Sequence, residues 1–143
     1  MAPNAAGGWA LDSQLDRDSV MVGDLALCQV RLVNDANYPW LLLVPRRRGV
    51  VEITDLAEAD QVQLIGEVTR AVRELKAQTG CDKINVAAIG NVVPQLHVHV
   101  VARFRGDAAW PRPVWGIVPA RPYEAATMER MASGLRSRFA IGG

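Results

Sequence analysis

Several stretches of the chain have the polarity pattern of β-strands. In each, apolar and β-branched residues alternate with polar ones or run together, and Gly, Pro or Asn lies close to the ends. These features predict strands at residues 25–33, 41–44, 83–89 and 92–104. The connections within the first pair and within the second pair are short, so both pairs should be antiparallel.

A long amphipathic helix is predicted between the two strand pairs. Apolar residues recur at three- or four-residue intervals over much of residues 56–75, with charged residues between them. Thr54 or Asp55 can cap the start, Glu58 stands where a capping box requires it, and Gly80 suits the left-handed position after the last turn.

The remaining segments complete the predicted architecture. A C-terminal helix is expected at 124–139 and a short helical turn at 13–17. The proline-rich segment 110–122 leaves room for at most a short edge strand and should pack as an ordered flap. The chain is therefore predicted to be α+β, with an antiparallel sheet of about five strands and one long and one C-terminal helix on one face.

Length and composition favour a single folded domain over residues 1–143. The chain is 50% hydrophobic and 22% charged, which is ordinary for a globular protein. The formal net charge of +1 produces no field that attracts a polyanion, so nucleic acid is not an expected partner.

The cysteine spacing and the distribution of apolar residues favour a cytoplasmic protein. Cys28 and Cys81 have no spacing typical of a disulfide framework or a redox motif. Residues 1–8 lack the basic and apolar regions of a secretion signal, and no apolar stretch approaches the ~18 residues that cross a membrane. We expect a cytoplasmic protein without membrane contact.

The two histidines of the chain lie two residues apart on the last predicted strand. Because side chains alternate across a strand, His97 and His99 should share one face with Gln95, Val101 and Arg103, opposite the face toward the core. A polar solvent face would explain a lone histidine, and histidines at i and i+2 also fit a zinc site, although no third ligand is evident. Catalytic chemistry explains the pairing of both imidazoles better.

Residues 85–103, Asn-Val-Ala-Ala-Ile-Gly-Asn-Val-Val-Pro-Gln-Leu-His-Val-His-Val-Val-Ala-Arg, resemble the signature of the histidine triad (HIT) family. That signature reads His-φ-His-φ-His-φ-φ, where φ is apolar. Upstream, residues 31–35 and 42–46 are similar to the nucleoside-binding strand pair of the family, and 54–56 to the start of its long helix. The resemblance covers about residues 24–105 and implies a HIT-like fold.

The resemblance implies a nucleotide hydrolase or transferase that needs neither metal nor cofactor. The middle histidine of the signature matches His97, which would attack the α-phosphorus of a nucleotide and carry the nucleotidyl group until water removes it. The last histidine matches His99, which would contact phosphate oxygens and assist the leaving group. Gln95 replaces the first histidine, and it forms hydrogen bonds but cannot shuttle a proton.

The same resemblance suggests the substrate-binding residues. Asn34 or Asp35 should hydrogen-bond the ribose hydroxyls, and Asn91 should contact phosphate. Asn85 opens the signature and is expected to bind substrate. Arg103 shares the histidine face and is expected at phosphate, although a surface ion pair explains it equally well.

Departures from the family pattern leave more than one function open. Trp40 aligns with a further family histidine, and the glycine-rich stretch before the signature is short, which removes N–H groups that cradle phosphate. Trp110 and Trp115 would either close over the site or anchor their loop.

We therefore consider three hypotheses. The first is a hydrolase of a dinucleoside polyphosphate, such as diadenosine tetraphosphate, or of a nucleoside phosphoramidate. The second is a purine-nucleotide sensor or scaffold without turnover, and the third is a metal-dependent hydrolase. Family habit and exposed apolar residues also favour a homodimer.

Overall fold

The computed structural model describes residues 8–141, in which three α-helices and one short 3-10 helix (Ile53–Asp55) accompany one five-stranded antiparallel sheet. The helices are α1 (Ser13–Asp18), α2 (Glu58–Thr79) and α3 (Ala125–Phe139). The strands are β1 (Ser19–Asp24), β2 (Cys28–Val33), β3 (Trp40–Pro45), β4 (Lys83–Ala87) and β5 (Val98–Arg103). The predicted α+β class, with one long and one C-terminal helix, is confirmed.

The strand order is β1-β2-β3-β5-β4, which places β5 inside the sheet although it is last in sequence. His99 on β5 lies opposite Leu42 of β3 on one side and Ala87 of β4 on the other. A strand held on both sides is rigid, so the fold gives the second histidine a well-defined position.

Both faces of the sheet are covered, by different kinds of structure. Helices α2 and α3 pack on one face over the main apolar core, which includes Leu96, Val98, Val100 and Ala102 as the alternation predicts. The opposite face carries two smaller apolar clusters: Tyr38, Val101, Ala109 and Val114 in the first, and Leu15, Leu42 and Val44 in the second. The polar stripe that the alternation predicts is buried, so the alternative of a plain solvent face does not hold.

Several strands differ from the predictions. β2 begins at Cys28 instead of residue 25, and β4 ends at Ala87 instead of residue 89. The strand predicted at 92–104 begins only at Val98, because Pro94 has no N–H and the N–H of Leu96 donates to the Val50 carbonyl instead of a strand partner. The fifth strand is β1 rather than an edge strand in 110–122. Its sequence mixes polar and apolar residues and its register shifts between Met21 and Gly23, which hides the period of a strand.

The start of the long helix also differs. The residue before α2 is Ala57, which provides no side-chain cap, whereas the Asp55 carboxylate accepts hydrogen bonds from the N–H groups of Val51 and Glu52. The predicted cap by Thr54 or Asp55 is therefore wrong. Gly80 adopts φ 65° at the end of α2, as predicted.

Among residues 8–141, no helix combines the length and apolarity that crossing a bilayer requires. The expectation that residues 1–8 carry no secretion signal falls almost wholly on residues 1–7, which lie outside the described range.

Candidate functional site

His97 immediately precedes β5, and only 6% of its surface is exposed. Its Nδ1 atom lies 2.7 Å from the main-chain carbonyl oxygen of Gln95. Because a carbonyl oxygen can only accept a hydrogen bond, Nδ1 must carry the proton. In the neutral ring, Nε2 therefore has the free lone pair, which is the nucleophilic form of the imidazole.

His99 has the opposite arrangement of donor and acceptor. The indole Nε1–H of Trp40 donates to His99 Nδ1 over 3.0 Å, and an indole N–H cannot accept. Nδ1 is therefore unprotonated, and the proton of the neutral ring is on Nε2. Burial, together with the neighbouring His97, lowers the pKa of His99 to about 4, so the ring is neutral at pH 7.

The two imidazoles form one pair. Their ring centroids are 4.9 Å apart with the planes at 68°. One ring offers a lone pair at Nε2 and its neighbour offers an N–H at the equivalent atom. This combination can attack an electrophilic phosphorus while donating a hydrogen bond to one of its oxygens.

Both histidines line a cavity of about 360 Å³ on the sheet face opposite α2 and α3. Its other lining residues come from α1, the sheet, the loop before β5 and the proline-rich segment: Gln14, Leu15, Asp18, Val33, Trp40, Leu42, Ile89, Gly90, Asn91, Val92, Val93 and Trp115. We call it the histidine cavity. Sequence reasoning missed the contribution of α1, because residues 9–24 show no clear period that would place them at a site.

A second cavity of about 380 Å³ shares Asp18, Val33, Trp40 and Trp115 with the first. Asn34 and Asp35 line this adjoining cavity, and so does Arg17. The shared residues show that the two cavities are neighbours. Their combined size is suited to a ligand of at least nucleotide dimensions.

Trp115 packs against the histidine pair. Its ring centroid is 5.0 Å from that of His99 and 5.7 Å from that of Trp40, edge to face in both cases. Trp110 does not reach this position and instead lies 5.7 Å from the Arg103 guanidinium. Two roles were considered for these residues. Trp115 is placed to cover the site, and Trp110 is placed to anchor its loop.

The polar residues predicted to bind substrate separate into two groups. Asn91 lines the histidine cavity. Asn34 and Asp35 line the adjoining cavity, where Asn34 accepts a hydrogen bond from the Tyr123 N–H and Asp35 accepts one from the Arg121 N–H. These bonds tie the turn after β2 to the segment that leads into α3.

Arg103 and Asn85 do not join the site, which corrects the expected grouping. Arg103 is 1% exposed, forms a two-bond ion pair with Asp107 at 2.8 and 3.1 Å, and donates to Asn85 Oδ1 at 2.7 Å. Neither residue lines the histidine cavity or the adjoining one. The pair fastens the loop after β5 to the sheet, so we leave both residues out of the proposed site.

Gln95 is close to His97 in sequence but does not line either cavity. Its side-chain amide bonds to residues 10 and 12 of the segment before α1. Within residues 8–141, no group of three His, Cys, Asp or Glu side chains is arranged to hold a metal ion.

Comparison with curated proteins relates part of the chain to a named enzyme. The chain is 36% identical over 81 residues to proteins named AP-4-A phosphorylase in two strains of Mycobacterium tuberculosis. The match covers 50% of this chain and 41% of those relatives, so it spans less than half their length.

Solved structures match almost the whole chain. Histidine triad proteins from Bradyrhizobium japonicum and Sinorhizobium meliloti are 54% and 44% identical, with TM-scores of 0.89, and the matches cover 91% and 92% of this chain and 97% of each of theirs. One from Marinobacter aquaeolei is 40% identical with a TM-score of 0.91, over 94% of this chain and 98% of that one. The family model of the HIT domain matches residues 14–106. The chain therefore belongs to the HIT domain family, whose members bind nucleotides and are commonly nucleotidyl hydrolases or transferases.

Proposed function

We propose that the chain is a nucleotidyl hydrolase or transferase in which His97 Nε2 attacks the α-phosphorus of a dinucleoside polyphosphate or a nucleoside phosphoramidate. The observation that carries the proposal is the bond between His97 Nδ1 and the Gln95 carbonyl, because it leaves Nε2 as the nucleophilic atom. The position of His97 in the lining of an open cavity supports access to substrate.

The proposed reaction has two displacements. In the first, the Nε2 lone pair of His97 forms an N–P bond, and the bond from phosphorus to the leaving group breaks. For diadenosine tetraphosphate the leaving group is ATP, which keeps the electron pair of the broken P–O bond. In the second, an acceptor oxygen attacks phosphorus and the N–P bond breaks with its electron pair returning to Nε2, which restores the imidazole. A water acceptor releases one proton to solvent in this step. The His99 Nε2–H would donate to a phosphate oxygen or to the leaving group in both steps.

The acceptor is either water or inorganic phosphate. The relatives named AP-4-A phosphorylase support phosphate, since transfer of an adenylyl group to phosphate yields ADP whereas transfer to water yields AMP. Products formed from diadenosine tetraphosphate with and without phosphate therefore separate the two acceptors.

The test is a panel of dinucleoside polyphosphates and adenosine phosphoramidate, without added metal, using wild type and His97→Ala. We expect turnover by wild type and a loss of at least ~10³-fold in His97→Ala, because removing a covalent nucleophile leaves only binding and hydrogen bonding. AMP binding and thermal unfolding of both proteins serve as controls for folding. AMP binding without any turnover by wild type would support the sensor instead.

We also propose that the protein forms a homodimer. Val62 and Ile65 on α2 are 70% and 66% exposed, and Val86 on the edge strand β4 is half exposed. Unpaired apolar side chains of this size favour burial against a second copy. Light scattering should give a dimer for wild type and a monomer for the double variant Val62→Asp and Ile65→Asp. A wild-type monomer at micromolar concentration would contradict the proposal.

A further inference from the structure

The side chain of Gln95 holds the segment that leads into α1. Its Oε1 atom accepts a hydrogen bond from the Asp12 N–H at 2.8 Å, and its Nε2 donates to the Ala10 carbonyl at 2.9 Å. Each bond joins parts of the chain more than 80 residues apart. Both ends of the amide are thus engaged by main-chain groups of one segment.

That segment determines where α1 begins. Asp12 is the N-cap of α1, and its carboxylate accepts a hydrogen bond from the Gln14 N–H at 2.7 Å. Gln14, Leu15 and Asp18 of α1 line the histidine cavity. A side chain that fixes the N-cap therefore fixes one wall of the cavity.

The main chain of the same residue holds the other part of the site, since the Gln95 carbonyl accepts the bond from His97 Nδ1–H. We propose that Gln95 is a positioning residue, which docks the α1 wall of the cavity at a set distance from the nucleophile. The inference rests on the proposed function and deepens it, because it assigns Gln95 to substrate affinity rather than to acid–base chemistry.

Amide chemistry explains why glutamine suits this position. The amide carries its acceptor and its donor on one carbon, so it can bond an N–H and a C=O two residues apart in an extended segment. A neutral imidazole has its donor and acceptor on diverging sides of the ring and cannot reproduce both bonds. Restoring the histidine of the family signature should therefore weaken the docking of α1.

The experiment compares Gln95→His and Gln95→Leu with wild type. For both we expect KM for the best substrate, and Kd for AMP, to rise about 10-fold, with kcat within about 3-fold of wild type, because two hydrogen bonds to the cavity wall are lost while the His97 bond is kept. Hydrogen exchange at the Asp12 N–H should accelerate. Gln78→Leu is the matched control, since Gln78 is also half-buried and donates to the Met131 carbonyl, outside both cavities.

Two results would overturn the inference. The first is a kcat change above 100-fold, in either direction, with KM unchanged in Gln95→His, since that places residue 95 in the chemistry. The second is wild-type exchange at Asp12 in Gln95→Leu, which would show that the side chain does not hold α1. If wild type turns over no nucleotide and yet Asp12 exchange accelerates in the variant, the docking role stands and only the proposed function fails.

Discussion

The two faces of the sheet are built in different ways. The face under α2 and α3 is covered by regular helices and packed with aliphatic side chains, whereas the histidine face is covered by α1 and by loops. On the histidine face, single polar side chains hold those loops: Asp35 holds residue 121, Gln95 holds residues 10 and 12, and Asp107 holds residues 104–110. Stability on the first face is shared among many contacts, and on the second it depends on a few bonds.

The largest loss of unfolding free energy is expected when the Arg103–Asp107 ion pair of the histidine face is broken. Asp107→Ala leaves the Arg103 guanidinium buried without its partner, which costs about 3–5 kcal/mol of unfolding free energy. Burial raises the pKa of Asp107, but the bonds from Arg103 and from three backbone N–H groups outweigh it and lower that pKa to about 2. Chemical denaturation measures the loss.

Glu129→Ala is the control for that comparison, because Glu129 pairs with Arg136 while its own side chain is 72% exposed. It should cost less than about 1 kcal/mol. Equal losses from the two carboxylates would contradict the view that the histidine face depends on its buried pair.

Shortening a core side chain under α2 and α3 should lower the unfolding free energy by nearly as much. It should leave the activity of the folded protein unchanged. Leu75 of α2 is fully buried in the main core, so Leu75→Ala should cost about 2–5 kcal/mol. Because Leu75 touches neither cavity, kcat/KM per folded molecule should equal that of wild type at temperatures well below unfolding. A large drop in kcat/KM at full folding would show that the two faces are coupled.

The pH dependence of stability should reveal the buried His99. Its pKa is about 4 in the folded protein and about 6.5 when unfolded, so the unfolded state takes up a proton first as pH falls. The unfolding free energy should therefore fall between pH 6.5 and 4, by up to about 3 kcal/mol. This contribution should be missing in His99→Gln, and parallel curves for the two proteins would refute the assignment.

The smallest effect, a modest fall in kcat, is expected from a substitution of Trp40. Trp40→Phe keeps the aromatic packing and removes the N–H that holds His99 Nδ1 as an acceptor. One lost hydrogen bond is worth about 1 kcal/mol, so kcat should fall about 5- to 10-fold with little change in KM. Trp115→Phe, which loses no described hydrogen bond at the site, is the control.

The face covered by α2 and α3 could be predicted from the sequence more completely than the histidine face. Periodicity located α2 and α3, because apolar side chains on a helix repeat at fixed intervals, and a continuous apolar run ending at Pro45 located β3. The pairing of His97 with His99 followed from strand alternation alone. The contribution of α1 and the position of Trp115 did not follow, because they depend on bonds between distant residues that leave no local pattern. The role of Arg103 stayed open between a phosphate contact and an ion pair for a related reason, since alternation gives its face but not its partner Asp107.

The central claim is that His97 forms a bond to phosphorus, and trapping that bond tests it most directly. Wild type is mixed with diadenosine tetraphosphate, quenched in base within milliseconds to seconds, and analysed by intact and peptide mass spectrometry. The account predicts an added adenylyl group on the peptide containing His97, absent in His97→Ala and retained in His99→Gln. Rapid turnover with no adduct at any time, or an adduct on another residue, would contradict it.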